Sequence, residues 1–157
     1  MQNHFSSIAV SNLTETTVKK LRQRAAYLAA HGEYLGYLRH LLDTATLPAS
    51  TQALPNLTNM AAMVQELQSL HPHIPNLNAI VFGRLLNRVL PSLLTWHGGQ
   101  CPVRHLPRGI LLILETTIYR FPEVGRARAA YQRYTMRVVE WSNDHDQWQA
   151  FNCGDEQ

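Results

Sequence analysis

Residues 106–121 read LPRGILLILETTIYRF, and their centre, Ile110-Leu111-Leu112-Ile113-Leu114, is the most apolar run in the chain. The fold turns on whether this stretch is helix or strand. Leu106, Ile110, Ile113, Leu114, Thr117, Ile118 and Phe121 recur at helical spacing over about four turns. Pro107 suits a first helical turn, where its missing N–H is not needed. Pro122 disfavours further helix at Phe121. Leu111 and Leu112 fall off the main face, so a helix here is apolar nearly all round and belongs in a core. The apolar run is far short of the roughly 20 residues of a membrane span. The spacing therefore predicts a buried central helix over 106–121. A strand is the alternative, because periodicity alone does not decide short apolar runs.

Working outward, Pro122 and Glu123 open a last helix predicted to reach about Trp141. Its seam is Val124, Ala127, Tyr131, Tyr134, Val138 and Trp141, the alternating three-four spacing of antiparallel bundles. On the other side of the central stretch, residues 98–105, GGQCPVRH, form a loop. Upstream of it a helix capped by Asn76 carries Leu77, Ile80, Val81, Leu85, Val89 and Leu90. Pro91 kinks that helix or starts a short one over Ser92–Trp96. Thr58 or Asn59 caps a helix to about Leu70, with Met60, Met63, Val64, Leu67 and Leu70 inward. Residues 44–57, TATLPASTQALPNL, make a long loop. Before it, helices over about 14–30 and 33–43 meet at His31-Gly32 as an antiparallel hairpin. Residues 1–13 read as an irregular arm and 142–157 as an acidic polar tail, in which Trp148 and Phe151 are the groups able to pin it back. The prediction is a single all-α domain spanning 1–157, an irregular antiparallel bundle of six or seven helices.

Bulk properties narrow the class. A chain of 157 residues, 45% hydrophobic and 16% charged, is long enough to bury a core without staples. Cys101 and Cys153 are the only cysteines, too few for a disulfide framework. Neither a secretory signal nor a membrane segment is legible. These features predict a reduced, cytoplasmic setting.

The charge layout says more than the net +3. All 14 Lys and Arg lie at or before Arg137 and face six acids there, a balance of +8; residues 138–157 carry five acids and no base. A basic body with an acidic tail points to polyanionic or acidic partners. On the last helix Arg126, Arg133 and Arg137 fall within about 40° of one another at 100° per residue. Guanidinium groups along one face suit a phosphate backbone through charge and forked hydrogen bonds. Arg84 and Arg88, one turn apart, extend the set, as do Arg104, Arg108 and Arg120. The competing reading is a solvated helix face. No helix-turn-helix, zinc-finger or RNP signature accompanies these residues.

Two other constellations carry chemistry. His97, Cys101 and His105 combine zinc-ligand types at spacings of four, with His71, His73 or Cys153 available as a fourth ligand. Gly98, Gly99 and Pro102 break any helix that would stack them. The same cluster would serve a thiol enzyme only with an orienting group and an oxyanion site. Glu115, late in the central stretch, must sit at an exposed edge or pair with a base such as Arg120. Met60, Met63, Tyr34, Tyr37, Tyr131 and Tyr134 read as core, or else as a partner-helix groove.

The functional expectation is a non-enzymatic basic helical subunit contacting the phosphate backbone of DNA or RNA through Arg126, Arg133, Arg137, Arg84, Arg88, Arg104 and Arg108, within a larger assembly. The alternative is an adaptor or inhibitor of an acidic protein, using a groove near loop 44–57. The third reading is a small zinc- or thiol-dependent enzyme centred on residues 97–105.

Overall fold

The structure, a computed structural model, describes residues 14–74, 77–96 and 117–151. The chain divides into two compact units, Met1–Leu35 and Gly36–Gln157. In the first unit helix α1 (Glu15–Ala30) starts at Thr14, whose hydroxyl accepts the Thr17 N–H at 3.0 Å. That bond satisfies one of the four orphan donors of a helix start. At the other end His31 donates from Nδ1 to the Tyr27 carbonyl at 2.8 Å, its ring lying 4.3 Å from that of Tyr27. None of the residues of α1 is buried.

Helix α2 (Gly32–Thr44) begins in the first unit and runs into the second. There Tyr37, Leu38, Leu41 and Leu42 repeat at helical spacing and are essentially inaccessible. Helix α3 (Met60–Leu70) contributes Met60, Met63 and Leu67 to the core, so the methionines pack rather than line a groove. Helix α4 (Ala79–Val89) buries Phe82, Leu85, Leu86 and Val89. Its face is rotated from the expected one: Phe82 and Leu86 go inward, while Ile80 and Val81 remain half-buried. The cap is Asn78, which accepts from Ile80 N and Val81 N at 2.9 and 3.1 Å.

The all-α expectation is overturned by a three-stranded antiparallel sheet, order β1-β3-β2, made of β1 (Leu57–Asn59), β2 (Leu94–Trp96) and β3 (Ile118–Arg120). The described residues hold five helices and this sheet, not a bundle of six or seven helices. The last part of the expected central helix is thus the middle strand. The reason lies in its alternation: Thr117, Tyr119 and Phe121 are buried, while Ile118 and Arg120 between them are exposed. That is the two-residue period of a strand with one face in the core, built from β-branched and aromatic residues. Residues 106–116 of the expected helix lie outside the described residues. Ser92–Trp96 is not a helix either; α4 ends at Val89 with Leu90 as its cap, and the chain turns at Pro91 into β2.

The ladder extends past its named ends, with Phe121 N–H on Asn56 O and Met60 N–H on Thr117 O, both at 2.9 Å. Asn59 closes β1 and also caps α3, accepting from Ala62 N at 2.7 Å, so strand passes to helix with no loop. Tyr119, pointing inward from β3, reaches α4 at Gly83; a Cβ there would stand 3.0 Å from its hydroxyl.

Helix α5 (Val124–Thr135) is shorter than expected. Met136 takes the left-handed conformation (φ 57°), which ends the helix before Arg137, Val138 and Trp141. Val138 is 93% exposed and the adjacent Val139 is buried, so the predicted seam fails beyond Tyr134. Loop 44–57 and the described tail are tied to each other. Ala45 and Leu47 are fully buried. Gln149 N–H donates to Ala45 O at 2.7 Å and Phe151 N–H to Ser50 Oγ at 3.0 Å.

Candidate nucleic-acid interface

In an antiparallel sheet, directly paired residues share a face. Leu94 pairs with Arg120 and Trp96 with Ile118. Leu57 and Asn59 of β1 pair with Arg120 and Ile118 on the same face and are half-buried; the other four side chains of this face are exposed: Leu94 50%, Trp96 46%, Ile118 39%, with Arg120 open to solvent. Thr58 and Tyr119 project to the opposite face and are buried.

Beyond Arg120 the chain passes Phe121 and Pro122 into α5, which brings Arg126 alongside. Arg120, Arg126, Leu94, Ser92, Asn56 and Glu123 line a cavity of about 310 Å³. Its Phe121 wall is held from behind by Trp148, whose ring meets that of Phe121 edge-on at 5.5 Å. The indole N–H of Trp148 donates to Pro122 O at 2.7 Å. A second cavity of about 560 Å³ lies on the other face of the sheet, with Arg84, Arg88, Asn87, Gly83, Thr95 and Tyr119 on its walls. Burial pushes the Tyr119 hydroxyl up to about 12.

Among the described residues, the predicted arginines therefore do not form one surface. Arg126 and Arg133 are exposed on α5, about 20° apart around its axis and roughly 10 Å apart along it. Arg137 leaves their face because the helix has ended. Arg84 and Arg88 are exposed on α4, across the sheet from Arg120. Arg104 and Arg108 lie outside the described residues, as do His97, Cys101, His105, Glu115 and Cys153. His71 and His73 stand with ring centroids 5.9 Å apart. Among the described residues no three His, Cys, Asp or Glu side chains gather as a metal site would require.

Arg128 was missed by the sequence reading, and its guanidinium is buried and heavily bonded. Only 6% exposed, it donates from Nε and Nη2 to Leu42 O (3.0 and 2.9 Å) and from Nη2 to Asn143 Oδ1 (2.8 Å). Nη1 reaches Asn143 O at 3.0 Å, and the guanidinium lies 5.0 Å from the Trp141 ring centre. It caps the C-terminus of α2, where carbonyls lack helix partners and the dipole favours a cation. Beside it Asp43 accepts from the Ser142 hydroxyl and, at 2.7 Å, from Ser142 N–H. Those two bonds, with the positive charges of Arg128 and Arg39, hold the Asp43 carboxyl below the usual carboxylate range. The signal was present in the sequence: Arg128 lies four residues after Val124, about 40° round the helix from it, inside the buried arc.

No protein-family model, curated protein or solved structure matches this chain. No helix among the described residues is long and apolar enough to cross a membrane.

Proposed function

We propose that this protein is a non-enzymatic module that binds the phosphate backbone of nucleic acid through Arg120 and Arg126, with Arg133 continuing the track along α5. The observation that carries this reading is the division of labour among the arginines. Arg128 is buried and spends its donors on α2 and the tail. Arg120 and Arg126 are exposed and line one cavity. Two guanidinium groups lining one open cavity offer forked donors suited to phosphate oxygens. Contacts of this kind position a backbone and do not read sequence. Arg84 and Arg88 are a separate group on the other face of the sheet and serve a second strand or none.

The test is binding to oligonucleotides of arbitrary sequence across a salt series, for the wild type and for Arg120→Gln/Arg126→Gln. Weaker binding with a flatter salt dependence supports the reading; unchanged affinity and slope contradict it.

A further inference from the structure

The outer face of the sheet combines two chemistries that the backbone-binding role alone does not need. Trp96 and Ile118 sit opposite each other on neighbouring strands, and Leu94 and Arg120 sit opposite each other two residues on. Side chains two apart on a strand are roughly 6.8 Å apart. The result is a patch with an indole at one end and a guanidinium at the other, and Arg126 lines the same cavity as that guanidinium. The three apolar members are 39–50% exposed, whereas Tyr119 between Ile118 and Arg120 is fully inward. The patch thus lies on the exposed face of the sheet, opposite the buried face of Thr58 and Tyr119.

We infer that this face takes unpaired bases, so that the preferred ligand is single-stranded nucleic acid, with Trp96 as the stacking platform and Arg120 and Arg126 on the flanking phosphates. The inference rests on the backbone-binding reading above and sharpens it. Every base has a π-face, so stacking on an indole tolerates any sequence. Duplex bases are already stacked on one another and show only their edges in the grooves, so they offer no π-face to an indole. The charge is complementary as well: Arg120 and Arg126 outweigh Glu123, the one carboxylate on the cavity wall. Apolar patch and cationic rim are therefore continuous, as an alternation of bases and phosphates requires.

The experiment uses the full chain with an unstructured labelled oligothymidine and a duplex of equal length, comparing the wild type with Trp96→Leu, Trp96→Phe and Arg126→Gln. The expected result is tighter binding to the single strand. Trp96→Leu should lose about tenfold in single-strand affinity with little change for duplex, and Trp96→Phe should keep most of it. Arg126→Gln should weaken both ligands. Wild-type affinity of Trp96→Leu for the single strand, or a preference for duplex, overturns the inference. If Arg126→Gln still weakens binding in that case, the backbone-binding reading stands without it. Failure of the wild type to bind either ligand removes both.

Discussion

The guanidinium of Arg128 bonds to the carbonyl of Leu42 twice, across a separation of 86 residues. Through that contact α5 closes the end of α2, and through Asn143 the same group holds the start of the tail. This is a structural arginine in a protein whose other α5 arginines face solvent, and substitution should separate the two kinds. Arg128→Ala takes the side-chain donors away from the Leu42 carbonyl and from Asn143 and is expected to cost about 2–4 kcal/mol. Arg128→Lys should recover only part of that, since an ammonium cannot fork. Arg126→Gln should stay within about 0.5 kcal/mol of wild type. Urea unfolding of the three variants checks the ordering.

Trp148 supports the cavity that carries Arg120 and Arg126. It is 7% exposed, stacks edge-on against Phe121 and bonds Pro122. Trp148→Ala is expected to lose about 3–5 kcal/mol, while Trp148→Phe, which keeps a ring but not the N–H, should lose about 1 kcal/mol. The described part of the tail packs through Trp148 and bonds through Phe151 N–H, so truncation after Ser142 should lower the melting temperature.

Two groups make stability depend on pH at opposite ends. The Asp43 carboxyl is held below its ordinary 3.8 by the Ser142 hydroxyl and N–H and by Arg128 and Arg39. A depressed folded-state value means a contribution present above pH 3.8 and lost as pH falls through the folded value. The gap in urea midpoint between wild type and Asp43→Asn should therefore be widest near neutrality and close in acid. At the alkaline end burial raises Tyr119 to about 12, and burial with the Glu66 hydrogen bond and charge raises Tyr37 further. Their contribution is constant below 10 and declines as pH climbs past it. In a spectrophotometric titration these two tyrosinates should appear only together with loss of the far-ultraviolet helix signal.

Met136 ends α5 in a left-handed conformation with a side chain 54% exposed. Glycine adopts that conformation without strain. Met136→Gly should raise stability by about 0.5–1 kcal/mol, the relief of strain being partly offset by greater freedom of the unfolded chain.

Much of the helical scaffold was legible. The inward residues of α2 and α3 follow the helical period, and Asn59 was readable as a cap. The sheet was not, because each strand is only three residues long and two of them abut stronger signals. Thr117–Phe121 continues a helical spacing begun at Leu106, which hid its own alternation. Leu94–Trp96 follows a helix closely enough to read as its continuation. The α5 boundary was missed because no glycine marks it; the left-handed residue is Met136. The arginine stripe was legible as charge but not as geometry. Which guanidinium is buried depends on α2 and on Asn143, contacts set by the tertiary fold. Trp96 and Arg120 became neighbours only through strand register, which no local pattern encodes.

The most direct measurement is the slope of log affinity against log salt for an unstructured oligonucleotide, comparing wild type with Arg120→Gln/Arg126→Gln. If the two arginines neutralise phosphates, the double variant should bind more weakly and its slope should be smaller by about 1.4 for a single strand. Equal slopes and equal affinities would contradict the assignment of this surface to nucleic acid.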